Sequence, residues 1–331
     1  MKFTINREAL QHERVRYVES LPIEEYLTNI ENAINACYTE KGFKVVQHGR
    51  VIALRATDMD RLSSAFKAGL YLGKYDDMEN TERFLNKMVK AGHSYEPIRG
   101  ENVLFLYIGV GKPVYDHMVT YTVGRPTRIA GGQRANLPWG FEIPAELKGD
   151  TSKFFDAGMD GVEYIIDLTK NSDGEMGKQQ IQVARSLLPV GYIMPPFLME
   201  FTEEALAKTV FRQRLWEKGA QGATIDVVSD MFECVKQLDP EKWEMLLDYH
   251  GPHIARWEKA MRTLRDKPIT LGQLADAVSE HLGHATTFEE YEALTEEEAL
   301  KQDIERDRVD VYDFIINKYG KLPLNMWEKK Q

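Results

Sequence analysis

Arg185 stands in the run Ala184-Arg185-Ser186-Leu187-Leu188-Pro189, and Arg212 and Arg214 follow in Phe211-Arg212-Gln213-Arg214, shortly before Ala220-Gln221. A guanidinium holds a phosphate or a polarised carbonyl with a fixed fork of donors, so arginines set among apolar residues are candidates for anion recognition. Arg185 lies in a segment otherwise fit for burial. A buried arginine requires a partner, either an acidic side chain or a bound phosphate. Arg212 and Arg214 are flanked by Phe211, Leu215 and Trp216 near a helix end, where their charges could equally serve the helix dipole. A further candidate is the loop from Gly124 to Arg134. Its glycines permit close backbone approach, and Arg125, Arg128 and Arg134 supply charge for an anion; the same composition also suits a solvated surface turn.

Other chemistry finds little support in the spacing. His250 and His253, and His281 and His284, are spaced as helical ligand pairs, but Gly251-Pro252 breaks the first and Gly283 weakens the second. Gly109-Val110-Gly111 lacks the third glycine of a dinucleotide fingerprint. Cys37 and Cys234 are too far apart for a zinc ribbon or a disulfide framework and read as reduced, mostly buried thiols. A net charge of -10 argues against a nucleic-acid polymer as partner, because phosphate backbones are met by basic surfaces. One nucleotide in an arginine-lined pocket remains compatible with that charge. No apolar run is long enough to span a bilayer, and the start Met1-Lys2-Phe3-Thr4 carries no signal-peptide core, so no membrane and a cytoplasmic location are expected.

The elements that must position these residues alternate in type. Ile23, Tyr26, Leu27, Ile30, Ala33 and Ile34 follow a helical period, and Val45, Val46, Val51, Ile52 and Leu54 around Gly49 predict a strand or hairpin. Phe84, Leu85, Met88 and Val89 predict a helix ending at Ala91-Gly92. Val103 to Ile108 is apolar throughout, the signature of a strand buried on both faces. A helix is predicted over 114–123, and 151–188 reads as mostly helical with a break at Asn171-Ser172-Asp173-Gly174. From Glu203 the chain is mainly helical. Val228, Phe232, Val235 and Leu238 share a face with Ile225, and Trp243, Leu246 and Leu247 are core candidates beyond Pro240. Residues 287–310 are rich in Glu and Asp and read as a solvated helical appendage.

The order of several blocks resembles the flavin-dependent thymidylate synthases. Gly92-His93-Ser94 is similar to the family's Gly-His element, Val103–Ile108 to its Phe-x-Phe strand, and Lys112-Pro113 to the start of the helix leading to its Arg-His-Arg signature. Trp139-Gly140-Phe141-Glu142-Ile143-Pro144 resembles the stretch after that signature. Tyr164 and then Gln182-Val183-Ala184-Arg185-Ser186-Leu187-Leu188-Pro189 resemble the Ala-Arg-x-x-Leu-Pro block. The similarity covers residues 80–235.

That resemblance implies an α+β fold like that of thymidylate synthase-complementing protein: a central, mostly antiparallel sheet flanked by helices, with an added C-terminal helical region. Residues 1–238 would form the catalytic domain and 239–331 the helical extension. It implies a homotetramer that moves a one-carbon unit from methylenetetrahydrofolate to C5 of dUMP or a related pyrimidine nucleotide, with FAD carrying the hydride and NADPH regenerating it. By the same resemblance Arg185, Arg214 and Arg134, with Gly132 and Gln133, would contact the nucleotide, and Arg214 would be the catalytic anchor of the pyrimidine. His93, Asn102, Arg125 and Arg128 would face the flavin. The chain departs from the family pattern where flavin is held. Thr122-Val123-Gly124 or Pro126-Thr127-Arg128 stands in place of the triplet, Gly132 in place of the signature serine, and Glu101-Asn102 in place of Glu-His. Three readings follow: a C5 methyltransferase, a folate-dependent hydroxymethyltransferase that needs water and no hydride, and a non-catalytic nucleotide-binding subunit.

Overall fold

The computed structural model describes residues 2–83, 96–119, 126–131, 136–169, 178–216, 220 and 222–251. The chain divides into compact units Met1–Pro252 and His253–Gln331. The second lies outside the described residues, as do the acidic stretch 287–310 and residues 84–90 of the helix expected over 80–90, whose start is the helical turn Thr81–Arg83.

Alternating apolar segments and glycine turns build two antiparallel sheets. The larger has strand order β2-β3-β4-β8-β5 and the smaller β1-β6-β7. The strands are β1 (Val15–Tyr17), β2 (Val46–His48), β3 (Val51–Ala56), β4 (Asn102–Tyr107), β5 (Arg128–Gly131), β6 (Gly140–Glu142), β7 (Tyr192–Ile193) and β8 (Phe197–Thr202). The helices are α1 (Ile23–Cys37), α2 (Leu62–Leu72), the single turns α3 (Thr81–Arg83) and α4 (Glu96–Arg99), α5 (Lys112–Val119), α6 (Ser152–Thr169), α7 (Lys178–Ala184), α8 (Glu203–Ala205), a π-helix (Leu206–Trp216), α9 (Gly222–Leu238) and α10 (Pro240–His250). The α+β expectation holds, and the sheet system is split in two.

The hairpin expected around Gly49 is β2–β3, and Gly49 supplies its turn with φ +50°, a conformation that costs glycine no Cβ clash. β4 lies antiparallel between β3 and β8, Leu106 facing Ile52 on one side and Leu198 on the other; the register is unbroken toward β8 and shifts once toward β3, between Ala53 and Arg55. Its apolar run is explained by burial on both faces. Strand pleating sends Leu104 and Leu106 toward α1, where they join Leu27, Ile34, Ile52 and Leu54 in one cluster. Phe105 and Tyr107 point to the opposite face, against Phe201 and Phe197. All four of these rings are essentially excluded from water, each contributing about 1.5–3 kcal/mol relative to exposure.

α9 covers that second face. The Tyr107 hydroxyl donates to Met231 Sδ at 3.3 Å, and Cys234 Sγ lies 3.4 Å from the Val51 carbonyl. α10 belongs to the same unit: Trp243 is buried and packs its ring on Phe211 of the π-helix. Its start was legible locally, since the Asp239 side chain accepts from Lys242 N–H at 3.2 Å and Pro240 occupies the first turn. The cysteine expectation divides: Cys234 is buried, whereas Cys37, at the end of α1, is exposed. No described helix is long and apolar enough to cross a membrane.

Candidate functional site

Arg214, one of the arginines singled out in the sequence, contacts α5. This helix begins immediately after a tight connection from β4, Ile108 to Gly111. Gly109 has φ +72°, and a Cβ on it would overlap the Tyr17 hydroxyl, so the connection demands glycine. The connection is pinned by a buried ion pair. Arg50 Nη1 donates to the Gly109 carbonyl at 2.9 Å and to Glu142 Oε1 at 2.8 Å, and Gly111 N–H donates to Glu142 Oε2 at 2.8 Å. Arg50 and Glu142 are 2% and 5% exposed. Truncating one partner of such a pair strands the other charge in a low-dielectric interior, so the pair holds the N-terminus of α5 in one place. Tyr17 closes the knot by donating to the Leu10 carbonyl at 3.0 Å, and burial pushes its phenol up to about 12, keeping it a donor at neutral pH.

α5 lies on the second sheet face, with Tyr115 set edge-on to Phe197 at 5.1 Å. Its far end meets the π-helix. Phe211 contacts Trp216, Phe232 and Trp243, and this aromatic packing orients the segment that carries Arg214. Arg214 Nη2 donates to the His117 carbonyl at 3.4 Å. Burial lowers the Arg214 pKa; the group stays cationic, with a weaker hydration shell to lose on meeting an anion. His117 is also pushed down, first by burial and then by the charge of Arg214, so its imidazole is neutral near pH 7. Its Nδ1 lies 3.2 Å from the Thr224 hydroxyl on α9.

Arg185 occupies a 3₁₀ turn, Arg185–Leu187, at the end of α7. The segment is less buried than its composition suggested: Leu187 is 62% exposed. Arg185 acts electrostatically on the Tyr192 phenol, opposing the rise that burial causes, and Asp116 of α5 acts on the same phenol. Arg214 therefore reaches α5 at His117, while Arg185 and Asp116 of α5 both act on the Tyr192 phenol. A cationic, partly desolvated guanidinium beside a neutral imidazole and a hydroxyl can bind an anion or polarise a carbonyl.

The remaining sequence candidates are distributed differently. His93, Arg125, Gly132, Gln133 and Arg134 lie outside the described residues. Arg128 opens β5, in register with Glu200 of β8. Asn102 opens β4; its carboxamide donates to the Gly100 carbonyl at 3.0 Å and its backbone N–H to the Thr57 hydroxyl at 2.8 Å. Glu101 is turned inward and joined by Lys67, Ser63 and Thr57, which together hold its carboxyl below the usual range against the opposing effect of burial.

No protein-family profile matches the chain, and no curated protein matches it. Among solved structures, two of a UMP/dUMP methylase, PolB from Streptomyces cacaoi, are similar. The one bound with 5-Br dUMP has 12% identity and a TM-score of 0.46 over 63% of this chain and 97% of that one. The one bound with 5-Br UMP has 13% identity and a TM-score of 0.45 over 63% of this chain and 96% of that one.

Sequence reasoning missed one further cluster. Lys242 of α10 is fully buried, with Nζ 3.0 Å from both Glu203 carboxylate oxygens and 3.1 Å from both the Asp58 carboxylate and its carbonyl. Burial pushes Glu203 up to about 7 even with Lys242 opposing the shift. Nothing local marks Pro240-Glu241-Lys242 as other than a solvated helix start; the burial is created by elements far away in sequence.

Proposed function

We propose that this chain binds a pyrimidine nucleotide through Arg185 and Arg214 and transfers a one-carbon unit to C5 of its base, with methylenetetrahydrofolate as the donor. The observation that carries the reading is the contact of Arg214 with His117 of α5, with Arg185 and Asp116 of α5 acting on one phenol, that of Tyr192. Both arginines stand at the positions where the sequence resembles the nucleotide-contacting arginines of flavin-dependent thymidylate synthases. Arg214 would hold the pyrimidine, its partial desolvation strengthening a charge-assisted bond to a ring carbonyl. Arg185 would meet the phosphate. The neutral imidazole of His117 would stay available as a proton acceptor.

FAD and NADPH belong to the methylating form of this reaction, in which a hydride completes the methyl group. Glu101-Asn102 stands in place of the family's Glu-His, and its Arg-His-Arg triplet is replaced in this chain. Those departures favour a second outcome on the same nucleotide, hydroxymethylation, in which water adds to the exocyclic methylene and no hydride is needed. A homotetramer in the cytoplasm is the assembly the resemblance implies.

Calorimetric titration of dUMP and UMP into the wild type, Arg185→Ala and Arg214→Ala tests the nucleotide reading. Each substitution is expected to weaken binding by about 1.5–3 kcal/mol, the range for a hydrogen bond to a charged group. Unchanged affinity in both variants removes the assignment. Flavin absorbance, followed by product mass after incubation with the folate donor, separates methyl from hydroxymethyl transfer.

A further inference from the structure

α6 carries two apolar stripes. Phe155, Gly158, Val162, Ile165 and Thr169 face inward and are buried. A second set, Phe154, Ala157, Gly161, Tyr164 and Leu168, repeats with the same alternating spacing of three and four. That spacing is the a/d seam of a coiled coil, which calls for another helix. The seam lies on the water side: Phe154, Ala157, Tyr164 and Leu168 are exposed, Tyr164 by 62%. It continues onto the turn after α7. Phe154 and Val190 line one recess of about 350 Å³, and a Cβ on Gly161 would lie 3.5 Å from Pro189 Cγ. Leu187 and Val190 are themselves exposed and add to the patch. Phe154, Tyr164, Leu168, Leu187 and Val190 leave on the order of 600 Å² of apolar surface open, the upper end of what a monomer exposes and most of the roughly 800 Å² that each partner gives a stable interface. The connection from α6 to α7, Lys170-Asn171-Ser172-Asp173-Gly174-Glu175-Met176-Gly177, brings one apolar side chain, too little to serve the seam.

Shape and charge select the occupant. When two copies of one helix pack antiparallel, a and d positions share layers. Phe154 then meets Tyr164 of the partner subunit, and Ala157 meets Gly161 of the partner subunit, about a twofold axis at Met159–Asp160. Aromatic rings pack at both ends, and the smallest residues allow close approach at the centre. Lys153, Asp160 and Asp167 flank the seam on its outer side, seven residues apart and all exposed. The same register sets Lys153 beside Asp167 of the partner subunit, twice by symmetry, and faces the two Asp160 carboxylates across the axis. We propose that a second copy of this chain docks on this seam in that register, as an isologous pair. Arg185 and Arg214 take no part in these layers, so the interface and the nucleotide reading can fail separately.

Sedimentation equilibrium of the full chain at micromolar concentration reads the association. Tyr164→Glu, a change at an exposed position, should halve the sedimenting mass and leave circular dichroism as in the wild type, the dissociation constant rising at least about a hundredfold. Lys153→Glu sets a like charge against Asp167 of the partner subunit and should weaken association about tenfold. Adding Asp167→Lys to it should restore the wild-type constant. Asp160→Asn removes the repulsion on the axis and should tighten association. Cys37 is exposed and Cys234 buried, so cross-linking is read in a Cys37→Ser background. There a short bismaleimide should join Asp160→Cys to its symmetry mate, and should not join Glu163→Cys, on the side of α6 away from the seam. A full chain that sediments as a monomer overturns the inference. So does a mass unmoved by Tyr164→Glu, a double charge reversal no tighter than Lys153→Glu alone, or equal cross-linking at the two positions.

Discussion

Replacing Lys242 with methionine tests the buried cluster that seats α10. The ammonium is completely excluded from solvent and receives oxygen contacts at 3.0 to 3.1 Å from Asp58 and Glu203, which are themselves 2% and 1% exposed. Methionine fills nearly the same volume, so the loss is electrostatic: two carboxylates are left facing each other without a cation. Removing one partner of a buried pair costs about 3–5 kcal/mol. The chain can recover part of that by protonating Glu203, whose pKa burial has already pushed up to about 7 from 4.5. A carboxyl with a raised native pKa binds its proton more tightly folded than unfolded. Its stabilising contribution is therefore fully present below about 4.5 and lost as pH rises through about 7. Without Lys242 the Glu203 pKa rises further, so the variant should be most damaged at pH 8 and least at pH 5.5. Lys242 itself is held above its ordinary value by Glu203, Asp58 and Asp239 against the effect of burial, so it stays charged across this window. Hydrogen exchange read by mass spectrometry on peptides from α10 isolates the effect from the rest of the chain. The expected result is a loss of α10 protection equivalent to about 3–5 kcal/mol at pH 8, shrinking at pH 5.5 and smaller in Glu203→Gln/Lys242→Met than the two single changes sum to. A loss below about 1 kcal/mol, or one independent of pH, would refute the reasoning.

Four further outcomes follow from the structure. Arg50→Met should destabilise the first unit by about 3–5 kcal/mol, since it strands Glu142 in the interior; urea denaturation followed by tryptophan fluorescence reads this. The same variant should weaken nucleotide binding, because α5 starts at the residue after Gly111, which donates to Glu142. Gly109→Ala should cost more than about 1 kcal/mol, combining a left-handed backbone with an overlap on Tyr17, and a melting temperature within a degree of the wild type would contradict it. Mass spectrometry after native alkylation should find one modified cysteine, Cys37, and two only after denaturant is added.

What the sequence determined is local and periodic. The helical repeat of Ile23 to Cys37, the glycine-centred hairpin, and the unbroken apolar run of β4 are each fixed by side-chain spacing, because burial on one or two faces leaves a readable period. Arg185 and Arg214 were legible as charges set in apolar surroundings. The contact of Arg214 with His117 of α5 was not, since it depends on how β8 and the π-helix return to the sheet. The exposure of Cys37 was missed because it sits on the last turn of α1, where the periodic pattern no longer says which face is covered. Arg50 and Glu142 carried a weak signal, a charge beside a strand and another within Phe141-Glu142-Ile143, but only the pairing of β1 with β6 and β3 with β4 makes them partners. Lys242 carried none. Its charge is buried solely because Asp58 and Glu203, near in space and remote in sequence, offset the cost of removing it from water, and that compensation exists only in the folded chain.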